Sequence, residues 1–285
     1  MNRRTFLNRS LVLAVAAGAT WFDVPKLLGQ TMPPDYRKRY GGYPMGIQSF
    51  CLRGFGIEGA LDEVQKLGLR YIEMYHLHFP VTPDQGKIKE MLVACARRDI
   101  TISAHGVQNF TSDHAQNEKF FQFAKAAGLS LVTANPAPDS FESLDRLVKQ
   151  YDIKLAIHNH GPDAFYDKID DSLDAVKNWD LRIGFAADLG HYLRSNQDPV
   201  EAIHRLAPRL YGVHLKDVAE KQKKTRSVVL GRGHLDVAGV FKALKKVGFR
   251  ANGAFSLEYE ENPTNPIAEI KQCLEIAAEA AARVA

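Results

Sequence analysis

Cysteine is scarce in this chain of 285 residues. Cys51, Cys95 and Cys273 are far apart and form no CxxC pair, which argues against a disulfide framework and against a cysteine-based zinc site. No GxxxxGK[ST] phosphate loop occurs. Long apolar runs are missing too: the run SLVLAVAAGA (10–19) is about half of the roughly 20 residues that a helix needs to span a bilayer. Nor is charge of one sign concentrated. Lysine and arginine total 37 against 33 acidic residues, a net charge of +4, and they are scattered rather than gathered with aromatics, which speaks against nucleic-acid binding.

The N-terminus differs in character from the rest of the chain. Two arginines in NRRTFLN (2–8) precede the short apolar run, and Ala17-Gly18-Ala19 supplies the small residues of a cleavage site. This fits a twin-arginine export signal, with the mature protein in the periplasm and no stable membrane insertion after cleavage. Residues 1–30 are assigned to this signal and the start of a linker, and residues 31–43, with Pro33-Pro34 and a basic cluster, to an N-terminal arm or tether.

From residue 44 to 285 the sequence alternates between short apolar stretches and segments of helical spacing. YPMGIQSF is followed by IEGALDEVQKLG, LRYIEMYHL by KIKEMLVACARRD, and ITISAHGVQ by EKFFQFAKAAG. Five more such units complete the pattern, the seventh interrupted by a longer loop (219–234). Strands alternating with helices must run parallel, because each helix returns the chain to the end where it began. Eight units in about 250 residues predict an α/β fold of the (β/α)8 TIM-barrel kind, eight parallel strands inside a ring of helices.

In such a barrel the C-terminal strand ends and their loops form the site. Those ends carry Gln48; Glu73, His76 and His78; His105 and Gln108; Asn135; His158, Asn159 and His160; Asp188 and His191; His214, Lys216 and Asp217; Glu258 and Glu260. Seven of the ten histidines fall there. Taken singly, each has a plainer reading: a strand-end histidine as a hydrogen-bonded cap, Asp217 as a loop cap, Glu73 as an arginine's partner. Taken together, His158, Asp188, His214 and Glu258 converge from four strands, and burying them with nothing shared would cost a few kcal/mol. Two imidazoles and two carboxylates suit one divalent ion: Mn, Zn, Co, Fe or, less comfortably, Mg.

AADLGH (186–191), GVHLKD (212–217), LGRGHLD (230–236) and SLEYE (256–260) resemble motifs of the xylose isomerase-like barrels. That superfamily of sugar isomerases and epimerases includes inosose dehydratase and endonuclease IV relatives. The resemblance implies that Asp188, His214 and Glu258 bind metal and that His191 lines the substrate site. It breaks at His158, where many members carry glutamate, and at Arg232, where relatives often do. The implied activity is isomerisation or epimerisation of a sugar through an enediolate, with Glu258 as base, His105, His160 and His191 as candidate acids and Lys216 steadying negative charge. Gln48, Glu73, His76, His160 and Arg232 are expected to contact substrate. Elimination from a keto-sugar or 3-keto-glycoside, needing one base and a separate acid, is the alternative. An endonuclease IV-like phosphodiesterase and a noncatalytic periplasmic sugar-binding barrel are the readings from other classes. The expected partner is a small carbohydrate, and association through outer helices into a homo-oligomer is a further expectation.

Overall fold

The computed structural model describes residues 34–249 and 253–284. The proposed export signal lies outside these residues. After a short helix α1 (Pro34–Arg39), strand and helix alternate: β1 (Met45–Gln48), α2 (Ile57–Lys66), β2 (Tyr71–Met74), α3 (Gln85–Ala96), β3 (Thr101–Phe110), α4 (His114–Ala126) and β4 (Leu131–Pro136). The chain continues through α5 (Phe141–Tyr151), β5 (Lys154–His158), α6 (Ile169–Val176), β6 (Ile183–Asp188), α7 (Leu189–Arg194), α8 (Pro199–Leu206) and β7 (Leu210–Leu215). A two-stranded antiparallel hairpin, β8 (Asp217–Val218) and β9 (Ser227–Val228), occupies part of what the sequence suggests is one long loop. Helix α9 (Val237–Lys246), β10 (Ala254–Leu257) and α10 (Ile267–Ala282) complete the order.

Eight strands close into a parallel barrel in the order β1, β10, β7, β6, β5, β4, β3, β2. The predicted (β/α)8 barrel is thus the observed fold. Among the described residues no helix is long and apolar enough to cross a membrane. Gly54–Gly59 follows β1 with the spacing GxGxxG, which in an open sheet would mark a nucleotide turn. Here the sheet is closed, and Gly54 serves packing: a Cβ on it would stand 2.1 Å from the Pro263 carbonyl oxygen.

Helix faces seal the outside of the barrel. Leu144, Leu147 and Val148 of α5 and Val237, Val240 and Phe241 of α9 are buried, at the i, i+3, i+4 spacing that gives a helix one apolar stripe. Inside, a small cluster of Ala104, Leu131, Ala156, Ala186 and Ala254 fills the barrel. Residues two apart on a strand share a face, so His158, Asp188, His214 and Glu258 stand one layer above Ala156, Ala186, Gly212 and Ser256. Small residues below leave room for large polar ones at the mouth.

Two features go beyond the alternating pattern. Tyr36, Tyr40 and Tyr43, in the segment expected to be an arm or tether, are buried in the main core. Tyr36 donates its hydroxyl to the Met45 carbonyl and accepts from the Arg70 amide at 3.2 Å. Aromatic area of this size outweighs the entropy of a free tether, so this part of the arm is docked on the barrel. Asp217, fully buried, accepts five backbone N–H bonds, from Val218, Gly231, Gly233, His234 and Leu235, at 2.8–3.0 Å. One carboxylate therefore shapes the LGRGHLD turn, as a loop-capping reading anticipates.

Candidate metal centre

The ends of β5, β6, β7 and β10 bring His158, Asp188, His214 and Glu258 together, all buried, with one donor atom from each within 4.8 Å of the others. His158 Nε2 is 3.0 Å from His214 Nδ1, 3.6 Å from Asp188 Oδ2 and 3.9 Å from Glu258 Oε2. His214 Nδ1 is 2.9 Å from Glu258 Oε2 and 3.8 Å from Asp188 Oδ2. Donors about 2.1 Å from one ion stand roughly 3.0–3.4 Å apart in octahedral and tetrahedral arrangements. The observed separations bracket that range.

The bonding around each donor also fits a cation. Asp188 N-caps α7: its Oδ1 accepts from the His191 amide at 2.7 Å, while Oδ2 is buried without a hydrogen-bond partner. Such an orphan costs about 1–3 kcal/mol unless something else satisfies it. His214 Nε2 donates to Glu73 Oε2 at 2.8 Å, which leaves Nδ1 as the nitrogen facing the cluster. A carboxylate behind the imidazole is how metal-binding histidines are usually oriented. Asn159, between the two histidines of HNH, faces away from them and clamps the Asp188 backbone, accepting from its N–H at 2.7 Å and donating to its carbonyl at 3.0 Å.

Charge points the same way. Burial pushes Asp188 up to about 8, with Glu258 adding to the rise and Lys216 opposing it. Glu258 is held well below the usual carboxylate range, since Lys216 and His214 overcome the burial that would raise it. Burial lowers His158, and it lowers His160 to about 3 and His191 well below its ordinary value. His214 is the exception: burial works against its charge, but Glu73 and Glu258 raise it well above the ordinary histidine range. The group thus holds two carboxylates that repel each other, a His158 imidazole available as a neutral donor, and a His214 that must give up the proton its carboxylate neighbours favour before it can bind a cation. These four side chains could hold a divalent ion.

Around them stand further polar groups. Lys216, fully buried, places Nζ 2.8 Å from Glu260 Oε1, 3.6 Å from both Asp188 Oδ2 and Glu258 Oε2, and 3.4 Å from His191 Nε2. Burial opposes its charge, and the three carboxylates more than restore it, raising the ammonium above its ordinary range. Gly190 makes room for the lysine stem, since a Cβ there would lie 2.6 Å from Lys216 Cγ. The His160 ring centroid is 4.7 Å from that of His158 and 5.3 Å from that of His191. His158 and His160 do share a side of the strand end, as their spacing predicts.

The other expected substrate and acid residues are placed elsewhere. Glu73 is fully buried with both oxygens engaged: Thr133 donates to Oε1 at 2.6 Å, and His214 and Ser256 donate to Oε2 at 2.8 and 2.9 Å. It braces His214 rather than reaching a ligand. Arg232 is exposed and donates to Gln272 of α10 at 2.9 Å, drawn outward to a helix. Gln48 is spent within the β1 turn, accepting from the Phe50 amide and donating to the Gly106 carbonyl, both at 3.3 Å. His105 lies on the opposite face of β3 from the inner Ala104, its ring 5.4–5.9 Å from those of Phe79, Phe120 and Phe123. His76 is exposed beside Tyr75, centroids 4.3 Å apart, on the loop after β2.

The displaced His105 has its own consequence. Its Nε2 donates to the Phe79 carbonyl at 2.8 Å, and its Nδ1 is buried without a partner. Protonating Nδ1 would bury an unpaired charge, so burial depresses its pKa from 6.5 to about 4. A histidine depressed on folding stabilises the fold above its unfolded pKa and withdraws that stability as pH falls from about 6.5 through 4, by about 3 kcal/mol. Urea unfolding at pH 7 and pH 4 is expected to show a loss about 3 kcal/mol larger in the natural protein than in His105→Phe. Equal losses in the two would refute the assignment.

Glu260 stands at the strand end that the sequence indicates, and its role is to pair with Lys216; Arg194 is a contributor that the sequence does not single out. Arg194, one turn beyond His191 on α7, donates from Nη1 to His191 Nδ1 at 2.8 Å, and only the i, i+3 spacing hints at it.

Comparison with known proteins agrees with this fold. A family model described as a xylose isomerase-like TIM barrel matches residues 134–280, which include β5, β6, β7 and β10. Inosose dehydratase of Geobacillus kaustophilus is 35% identical over 91 residues, 27% of this chain and 29% of that protein. The chain spans less than half the length of the curated relatives it matches. Among solved structures, an uncharacterised protein of Parabacteroides distasonis is 28% identical with a TM-score of 0.64, covering 82% of this chain and 97% of that one. L-ribulose 3-epimerase, 17% identical with a TM-score of 0.66 over 85% of this chain and 96% of its own, shares the fold. The family match extends over half the chain, and on it this protein belongs to the xylose isomerase-like TIM barrels.

Proposed function

We propose that this chain is a divalent-metal-dependent enzyme that removes a proton beside a carbonyl of a sugar or keto-sugar, isomerising or epimerising it through an enediolate. The observation that carries this reading is the convergence of His158, Asp188, His214 and Glu258 from four strand ends, with Asp188 Oδ2 left unpartnered. A divalent ion held by these four would supply Lewis acidity, drawing electron density from a carbonyl and a neighbouring hydroxyl so that the adjoining C–H becomes acidic. Glu258, kept ionised by Lys216 and His214, would accept the proton. Lys216 Nζ and His191 Nε2 would steady the oxygen on which negative charge grows. The Glu258 carboxyl group, once protonated, would hand the proton back to carbon, and His160, kept neutral by burial, would face the substrate as a hydrogen-bonding imidazole. Relatives described as inosose dehydratase, D-tagatose 3-epimerase-like protein and L-ribulose 3-epimerase support a carbohydrate substrate. The proposed periplasmic setting rests on the N-terminal sequence alone.

Elimination is the second reading, and His158 favours it. A histidine cannot act as the second carboxylate base that a two-sided epimerisation uses, whereas one base and one separate acid suffice to expel a leaving group. Metal analysis of the purified protein, then incubation with oxidised and unoxidised sugars in D2O, tests both readings. Deuterium in recovered sugar is the expected mark of isomerisation or epimerisation, and an unsaturated keto product that of elimination. Metal-loaded protein that produces neither would overturn the proposal.

A further inference from the structure

We infer that Arg194 is a positioning residue that dictates which nitrogen of His191 carries the proton, making His191 a hydrogen-bond donor toward the ligand side of the metal centre. A guanidinium can only donate. With Arg194 Nη1 at 2.8 Å from His191 Nδ1, Nδ1 must accept, and the proton of the neutral ring resides on Nε2. That nitrogen lies 3.4 Å from Lys216 Nζ and 4.0 Å from Asp188 Oδ2. Two donors side by side gain nothing from each other. An oxygen placed between them would accept from both, and this identifies the group they serve as a ligand oxygen at the edge of the cation site.

Arg194 is itself held in place. Its Nε and Nη2 donate to the Lys223 carbonyl at 3.2 and 2.6 Å, on the β8–β9 hairpin, and the Lys223 ammonium pairs with Asp163. The guanidinium rests on Gly161, the glycine that ends KLAIHNHG: a Cβ there would stand 2.8 Å from Cζ, 3.0 Å from Nε and 3.1 Å from Nη2. A larger residue at 161 would therefore push aside the guanidinium of an arginine 33 positions later in the sequence. It gives the mutational test a second handle that leaves Arg194 unchanged.

The assignment rests on the proposed function only in naming the ligand a substrate, since the tautomer is a property of the protein. The test is a long-range 1H–15N correlation spectrum of the Zn2+-loaded protein, labelled at histidine nitrogen. For His191 it should show an unprotonated Nδ1 and a protonated Nε2. Arg194→Ala and Gly161→Ala are expected to shift both nitrogens toward averaged values, and Arg194→Lys, which keeps a cationic donor, to retain most of the natural pattern. Metal content should be unchanged in all three, while turnover of the keto-sugar falls about 10- to 100-fold in the first two, the range seen when outer partners of a metal site are lost. A protonated Nδ1 in the natural protein, or variant spectra identical to it, would overturn the inference. Should Arg194→Ala not fold, Gly161→Ala still decides. If no sugar is turned over, the spectra still decide the tautomer and the failure belongs to the proposed function.

Discussion

Exchange of Glu258 for glutamine is expected to slow solvent-proton exchange at the substrate carbon by about 10³-fold, within the range that a positioned general base contributes, while a metal stays bound. Glutamine preserves the size of the side chain and one carbonyl oxygen, so a donor still faces the cluster. It removes the charge that can receive a proton. Glu258 is the carboxylate suited to this task because Lys216, 3.6 Å away, and His214, 2.9 Å away, keep it ionised at 7% exposure. Asp188 is less suited: its Oδ1 is committed to the His191 amide and its Oδ2 to the cluster. The measurement is deuterium incorporation per metal-bound enzyme. Undiminished incorporation by the glutamine variant would move the base elsewhere, His160 being the next group to examine.

His214→Ala should strip the protein of its metal and destabilise it at once. The imidazole is braced from behind, with Glu73 on Nε2 and the cluster on Nδ1. Removing it leaves Glu73 buried with only the Thr133 and Ser256 hydroxyls. Breaking a buried ion pair in this way costs about 3–5 kcal/mol, to be read by urea unfolding in the presence of a chelator. Turnover should fall roughly 10³-fold or more, because the Lewis acid supplies several kcal/mol of transition-state stabilisation. Glu73→Gln separates the two roles. It keeps His214 as a donor but disturbs its support, and metal affinity should drop about 10- to 100-fold rather than vanish. Full metal occupancy in dialysed His214→Ala would remove this residue from the ligand set.

The barrel was legible because parallel strands joined by helices impose a rhythm on hydrophobicity that a reader can count. The four-residue cluster was legible for a related reason: each member stands at a strand end or within one residue of it, and alternation puts it on the same side as a small residue two positions earlier. His105 ends no strand and lies within one. Strand β3 runs on to Phe110, and its pairing with β4 is irregular between His105 and Gln108, so counting faces from its C-terminal end misplaces the ring. Glu73 failed differently. Its partner is 141 positions away in sequence, and nothing near Glu73 says whether it meets a ligand or another side chain. Arg232 follows the same pattern, since its choice of Gln272 depends on where α10 docks. Arg194 could be found only after α7 was built and Gly161 placed beneath it. Contacts within one strand or one helix turn leave a trace in local spacing, and contacts across the barrel do not.

The way Asp217 holds its turn bears on how such a barrel acquires new preferences. Because the peptide groups of 231, 233, 234 and 235 hang from one distant carboxylate, the turn's backbone bonds do not depend on the side chains of Arg232 and His234, Arg232 adding only its hydrogen bond to Gln272. Substitutions at these two positions leave the five bonds to Asp217 in place. Variation is thereby decoupled from folding at this rim of the molecule, and selection can try new residues there at little risk to the scaffold.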